Sequence, residues 1–576
     1  MPPPSPSEAT TTPELPALQE VRLTSLCESS RFGELDRLEA YYRCRQYLGR
    51  RYDWDGRMIG YGDELAVMPG YSVPFKARRP KVRYDLPKII VQRYTALLFG
   101  RERFPSIDMD GDPDAEDYAR ELARSSNLQA KMVEARNLGG AQGTAVLSWA
   151  FIEGVPRVAV HNAKHVTPLR WRDKAARRLS AALEAYTYPR TVWVDGKAVE
   201  KQYYFAHYWD EQIEVIWEPI PKERAETRSW AREVPSTHVR HDLGLCPVYW
   251  IQNVADTSSD DGQSDFDGQL DNCDDINTLL SATSKGGIAN VDPTLVIMDD
   301  PDTNEGPVKK GSGHAIYSKG GAKYLELDGS AIRAALELAR ELKGATLDAT
   351  ATVLPDPDKL MARAQSAAAL RLYFAPMLTV ADLLRTQYGE GGLRAILLDM
   401  LRAARKIGTT PPPPPTTTPD GYLMQPRPTV VLPPRPVTTV EEVETGELDE
   451  TGQPITTQKK VTRMVARTPG SSENMSLNWP PYFPNTVADN KLTVDTATAA
   501  AGNKQVVSRQ TAVQSVATVF GIEDVEAELE AIEQDGEAEA ELASNIGPQP
   551  LLNAQELGLD GGAIGRTQEE TELEEQ

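Results

Sequence analysis

The 576-residue sequence predicts an α+β fold that is predominantly helical. Three observations predict it. Long stretches repeat their apolar residues every three or four positions, the spacing of a helix buried along one stripe. One block, residues 143–220, switches to a period of two, the spacing of strands. Helical and strand-rich segments come in runs rather than in regular alternation, which points away from a doubly wound parallel sheet.

The chain opens with "MPPPSPSEATTTPELPA", which has neither the basic nor the apolar region of a signal peptide; residues 1–29 read as a disordered arm. From Ser30 to Gly49, Leu35, Leu38, Tyr42 and Tyr47–Leu48 keep a helical rhythm. "YDLPKIIVQRYTALLFG" (84–100) repeats it through Ile89, Ile90, Tyr94, Leu97 and Leu98, and Gly100 supplies the stop. Residues 113–140 predict two consecutive helices with Asp114 or Asn127 as N-caps. Residues 143–171 and 181–220 are strand-rich, with a hairpin turn at Asp195-Gly196. "CPVYWIQNV" (246–254) reads as a buried strand.

An acidic stretch (256–275) leads into a helix carrying Ile276, Leu279 and Leu280. Residues 290–300 and 305–329 predict a small strand-and-turn module between helices, with Lys309, Lys310, Lys319 and Lys323 clustered in it. Helical spacing returns through Ile332, Leu336, Ala339 and Leu342. Pro355 and Pro357 cannot sit inside a helix, since each removes a hydrogen bond and clashes with the preceding turn, so this helix ends near Thr352. Beyond "DPDK" (356–359), Leu370, Phe374, Met377, Ala381, Leu384 and Tyr388 form one apolar face, and Pro376 kinks it. "GEGG" (389–392) breaks the helix and residues 393–408 resume it.

Residues 409–440 are Pro- and Thr-rich and predict an extended arm rather than a core. Residues 437–465 read as a long exposed hairpin turning at "DETGQP". "MSLNWPPYFPNT" (475–486) reads as a strand entering an aromatic, Pro-rich loop. One or two helices follow at 487–521, then an acidic helix at 523–543 and an acidic tail.

Composition excludes several functions. Apolar content is 40% and charged content 25%, values of a folded chain. The formal net charge is −22. Residues 521–576 hold seventeen acids and one base, so 1 − 17 = −16 of that charge lies in the last segment. A chain this acidic is unsuited to tight non-specific DNA binding, which needs Lys and Arg to displace counterions. The four cysteines form no CxxC pair, so neither a zinc site nor a disulfide framework is expected, and a reducing compartment suits them. No apolar run predicts a membrane span.

Catalytic and cofactor motifs are missing as well. The sequence has no HExxH, no GxxxxGK[ST] loop and no GxSxG elbow, and His238 and His241 have no acidic partner between them. "QSDFDGQLDNCD" (263–274) imitates a calcium loop at Asp265, Asp267 and Gly268. Gln263 and Asp274 stand where Asp and a bidentate Glu are needed, so these acids read as helix N-terminal residues favoured by the macrodipole. No metal, cofactor or catalytic residue is expected.

In the order of its parts, the chain resembles the portal proteins of tailed double-stranded DNA bacteriophages, of the siphophage type. The resemblance covers residues 30–545. It implies a wing at 30–263, a first stem helix at 264–289, a clip at 290–328 and a second stem helix at 329–352. A tunnel loop follows at 353–366, then a long kinked helix at 367–408 beginning in "SAAALRLYFAPMLTVADLLRTQYG" (366–389). In the family this helix often opens with Ser-Gly; Ala367 replaces that glycine here. The Pro/Thr-rich insertion and hairpin take 409–474, a return strand to the wing 475–490, crown helices 491–545, and a disordered acidic tail 546–576.

The resemblance also implies a function. It implies a homo-oligomeric ring, usually of twelve, around an axial DNA channel at one capsid vertex, made in the host bacterial cytoplasm. Its partners are the terminase large subunit, the major capsid protein and scaffold, head–tail adaptor or connector proteins, and the passing DNA. It is not an enzyme: the packaging chemistry belongs to the terminase. The DNA-facing residues it implies are Asp356, Asp358, Lys359 and Arg363 of the tunnel loop, and the lysines at 309, 310, 319 and 323 become clip residues for terminase, connector or DNA. Two other readings compete: another virion structural protein, adaptor or scaffold-like, and a metal-dependent hydrolase using the 256–275 acids.

Overall fold

The structure is a computed structural model. It describes residues 30–47, 51–52, 58–59, 82–194, 196–222, 235–291, 294–298, 315–317, 321–325, 330–354, 367–407, 416–417, 423–425, 430–448, 454–483, 487–501, 507–520, 525, 528–529 and 531–532. The N-terminal arm and acidic tail lie outside these residues, as does nearly all of the acidic helix expected at 523–543. The chain divides into two compact units, residues 1–360 with 370–483, and residues 361–369 with 484–576.

The first unit begins with helix α1 (Ser30–Tyr42) and two short paired strands, β1 (Arg51–Tyr52) and β2 (Met58–Ile59). Helix α2 (Leu86–Phe99) follows. Gly100 ends it, but with φ −58°, outside the left-handed region. Glycine is needed there for room, because a Cβ would overlap the Ala96 carbonyl. After strand β3 (Ser106–Asp108), helices α3 (Pro113–Ser125) and α4 (Leu128–Gln142) run consecutively. The cap of α3 is Asp112, not Asp114: its carboxylate accepts the Ala115 N–H at 3.0 Å. Asn127 holds the N-cap position of α4 in a left-handed conformation (φ 52°) and makes no side-chain cap bond.

The strand-rich block begins with β4 (Thr144–Ile152), β5 (Val155–His161) and β6 (Val166–Asp173). It continues with β7 (Arg178–Val194), β8 (Lys197–Asp210), β9 (Ile213–Trp217), β10 (Ile220–Pro221), β11 (Pro235–Arg240) and β12 (Val248–Gln252). The hairpin expected to turn at Asp195-Gly196 joins β7 and β8: Val194 pairs with Lys197 and Gly196 takes φ +73°, while Asp195 itself lies outside the described residues. Among the described residues these nine strands belong to one mostly antiparallel sheet, which two later strands bring to eleven and in which β12 lies between β7 and β4. All five residues of β12 are buried, because both its faces are covered.

Helices α5 (Leu270–Val291) and α6 (Ser330–Ala349) pack against each other. Between them lies a three-stranded sheet of β13 (Thr294–Met298), β14 (Ala315–Tyr317) and β15 (Gly321–Leu325), in the order β14-β13-β15. Helix α6 closes in a Schellman motif: Ala351 N–H donates to the Asp348 carbonyl (3.0 Å) and Thr352 N–H to that of Leu347 (2.8 Å). Ala351 sits at φ 50°, a place usually taken by glycine. The helix therefore stops before Pro355, on its own cap.

The next helical run is α7 (Ala367–Tyr373), α8 (Ala375–Arg385), a π-helix (Thr386–Arg394) and α9 (Ala395–Ile407). Phe374 interrupts it, and Pro376 lies in the first turn of α8, where its missing N–H leaves no helical bond unmade. The expected apolar face is fully buried at Met377, Ala381, Leu384 and Tyr388 and half-buried at Leu370 and Phe374. "GEGG" does not break the helix. It lies in the π-helix, where Gly389 faces the Trp479 ring and Gly392 the Ile251 side chain, too closely for any Cβ. Packing from distant segments outweighs the low helix propensity of glycine.

The Pro/Thr-rich arm contributes two short strands, β16 (Thr416–Thr417) and β17 (Leu423–Gln425), which extend the large sheet at β11. β18 (Arg435–Leu448) and β19 (Pro454–Val465) form the expected hairpin. Its base is held to α3: Arg435 pairs with Asp114 (2.5 Å), and Arg467 with Asp117 and with Glu121 (3.1 Å). β20 (Ser476–Asn478) pairs with β3.

The core of this unit joins α1, α2, α4, α8, the π-helix and α9 to the inner faces of β4 and β12. A second cluster, with Leu183, Tyr208, Val215 and Trp217, fills the space between β7, β8 and β9. Each such side chain stabilises the fold by about 1.5–3 kcal/mol through burial. In the second unit, α10 (Val487–Ala501) packs on α11 (Arg509–Phe520), whose first turn is capped by the Ser508 hydroxyl accepting the Thr511 N–H. Among the described residues, no helix is long and apolar enough to cross a membrane.

Candidate functional site

The chain places its most unusual chemistry where α5 begins, α6 ends and the π-helix passes. Arg136 projects from α4 and is fully buried. Its Nη2 lies 3.0 and 2.9 Å from the two oxygens of Asp265, in the segment leading into α5. Asn253, just after β12, donates to Asp265 (2.8 Å) and accepts the Tyr388 hydroxyl (3.1 Å). The Arg136 guanidinium stands 5.4 Å from the Tyr388 ring centre and 5.9 Å from that of Tyr94. Tyr94 in turn donates to the Thr350 carbonyl at 2.7 Å, at the end of α6. One buried cation thus ties together the start of α5, the end of α6 and the π-helix.

The local sequence makes this possible. In "RNLGG" (136–140) the guanidinium folds back over its own helix, and a Cβ at Gly140 would overlap Arg136 Nη1. Gly139 leaves room for the Tyr388 hydroxyl. Burial pushes the Asp265 carboxyl above its ordinary range, and Arg136 and Asn253 oppose that shift. Arg136 Nε and Nη1 have no hydrogen-bond partner.

The acids that imitate a calcium loop do other work. Asp265 pairs with Arg136, and Asp274 accepts the Tyr41 (2.6 Å) and Tyr47 hydroxyls. Asp261 pairs with Arg31 at 2.5 Å. Glu34 shares an open cleft of about 380 Å³ with Asp261 and Asp267, and its carboxyl is raised by burial first and then by those two charges. No group of three His, Cys, Asp or Glu side chains among the described residues is placed to hold a metal ion. Burial pushes the Cys246 and Cys273 thiols up to about 12.

One arrangement has the distances of a nucleophilic triad. Ser148 Oγ is 2.7 Å from His161 Nε2, and His161 Nδ1 is 3.0 Å from Glu184 Oε2. Triad chemistry also needs free amide donors for an oxyanion and access for an acyl group. The Trp149 N–H, next to the serine, donates to the Pro247 carbonyl at 3.2 Å. Ser148 is only 7% exposed. The trio is a buried strand-to-strand bridge.

Of the residues implied by the resemblance, Asp356, Asp358, Lys359, Arg363, Lys309, Lys310 and Lys319 lie outside the described residues. Lys323 lies on β15, opposite Val296 of β13. Pro376 follows the interruption at Phe374. None of these belongs to the Arg136 junction, which sequence reading missed. Its one visible signal was an arginine followed by a glycine pair inside an otherwise regular helix.

No family model matches the chain, and no curated protein matches it. Among solved structures, it is similar to a chain of "Virion of native gene transfer agent (GTA) particle", with 17% identity over 55% of this chain and 76% of that one and a TM-score of 0.29. It is similar too to a chain of "Neck of empty GTA particle computed with C6 symmetry", with 14% identity over 56% of this chain and 84% of that one and a TM-score of 0.24.

Proposed function

We propose that the chain is a structural protein of a phage-like virion, and within that class the portal subunit. What supports this reading is one arrangement: two neighbouring helices, α5 and α6, with a small three-stranded sheet between them in sequence, both anchored at the Arg136 junction. In this reading α5 and α6 are the stem helices, β13–β15 the clip, and α7–α9 the long helix that carries the tunnel loop on its N-terminal side. The junction then joins each stem end to that helix.

The portal reading gives the remaining parts their roles. Copies of the chain form a ring, twelve in the usual case, at the capsid vertex, and double-stranded DNA passes through it. Terminase, major capsid protein, scaffold and head–tail connectors dock on it. A predominantly acidic or neutral wall lets DNA slide, because each Lys or Arg bound to phosphate adds affinity and salt dependence. No catalytic role is assigned to the chain.

Symmetry-resolved electron microscopy of the purified chain tests the reading. Discrete rings with a central hole are expected. A monomer, or a particle without a hole, would instead favour an adaptor or scaffold-like virion protein.

A further inference from the structure

Beyond the end of β6, strands β7 and β8 leave the sheet as a two-stranded arm. β6 pairs with β7 only as far as Glu184, β9 with β8 only as far as His207, and β10 with Tyr203 and Tyr204. Among the described residues no third strand pairs with the arm between Thr187 and Gln202. A bare two-stranded ribbon is marginally stable in water. One face of the arm carries the cross-strand pairs Tyr188–Tyr203, Arg190–Lys201 and Val192–Val199. Trp193, on the other face, is 76% exposed. Arg190 and Lys201 stand directly opposite each other, and like charges so placed destabilise a sheet. Neither has an ion-pair partner among the described residues.

The opposite charge lies in the cleft beside α1. Glu34 and Asp267 line it, both exposed and neither with an ion-pair partner among the described residues. Asp261 lines it too, paired with Arg31. A second feature of the cleft also calls for a donor. Gln142, fully buried, lines it; its Nε2 donates to Glu39 and Asn162, and its Oε1 has no partner. Within one copy the two surfaces do not meet. Arg31 donates to the Val166 carbonyl, and Val166 stands opposite Glu184. Arg190 lies further out on the arm, roughly 20 Å along the strand from Glu184.

We propose that the β7–β8 arm of one copy docks in the acidic cleft of a second copy, with Arg190 and Lys201 facing Glu34 and Asp267. Each unfavourable set of like charges then gains the partner it lacks, and complementary charge fixes which surfaces meet. Different surfaces on the two copies make a head-to-tail contact, which closes into a ring or runs on as a filament. The proposal rests on the portal reading only in requiring that copies associate; it assigns the surfaces.

Light scattering and electron microscopy of the full chain test it through two charge reversals. Arg190→Glu with Lys201→Glu makes the arm acidic, and Glu34→Lys with Asp267→Lys makes the cleft basic. Each double variant alone should associate at least tenfold more weakly than the parent, because like charges then face each other. Mixing the two should restore assembly, as should one chain carrying all four changes; a misfolded chain would not be rescued. Assemblies unchanged in either double variant overturn the proposal and leave the ring reading standing. Loss in the arm variant alone, with the cleft variant silent, gives the arm another partner and overturns the pairing. Loss in both without rescue shows that the residues act within one copy, which also overturns it. A parent chain that stays monomeric overturns the docking and the ring together.

Discussion

Arg136 Nη2 binds both carboxylate oxygens of Asp265, at 3.0 and 2.9 Å, with the two side chains 0% and 2% exposed. Breaking such a pair leaves an uncompensated buried charge, at about 3–5 kcal/mol. Arg136→Met and Asp265→Asn should each lose about this much in chemical denaturation. The double change Arg136→Met with Asp265→Asn should cost less than the sum of the two single changes. Additive losses would show that the residues act independently.

Ala351 closes α6 at φ 50°, which costs an L-residue about 1–2 kcal/mol. Ala351→Gly should therefore stabilise the chain, by about 1 kcal/mol once the greater freedom of glycine in the unfolded state is offset. Denaturant midpoints measure it. A loss of stability would mean that the left-handed cap is not formed in solution.

His165 has its pKa lowered to about 4, by burial first and then by the charge of Lys164. Its unfolded value is near 6.5, so the unfolded chain binds more protons between these limits. The resulting stability is fully present above pH 6.5 and is lost as pH falls toward 4, by up to about 3 kcal/mol. His165→Phe should flatten that part of the stability-against-pH curve, provided the ring contact with Tyr186 (5.0 Å) is kept. An unchanged slope would place the acid-sensitive group elsewhere.

The proposed portal role carries a separate prediction. Replacing "DPDK" (356–359) by a rigid helix-former should disturb DNA packaging or retention more than ring formation. Lys309→Ala with Lys310→Ala should alter packaging or terminase docking and leave rings intact. Rings lost in the lysine pair, seen by electron microscopy, would remove those residues from the docking role.

Local physics was legible in the sequence and long-range pairing was not. The period-two block, the β7–β8 turn at Asp195-Gly196 and the β18–β19 hairpin follow from neighbours in the chain, and the fold contains them. "GEGG" was misread because propensity ignores the Trp479 and Ile251 side chains that pack on it. Asp112 displaced Asp114 as the cap because it also accepts the N–H groups of Ser471 and Ser472, at 2.7 and 3.0 Å. Those amides, with that of Ala115, hold its carboxyl down at about 2. Asp265 looked like a metal ligand or a helix-end acid because Arg136 is 129 positions away.

That double attachment of Asp112 bears on how the chain is made. Ser472 is 360 positions downstream, and β20, the partner of β3, follows directly. At synthesis rates of about 5–20 residues per second, roughly 20–70 s separate the appearance of the two ends of this contact. The early helices leave the ribosome long before the strand that closes over them. For that interval the edge of β3 is an open template, and a chaperone or a co-assembling copy that shields it would decide the yield of folded protein.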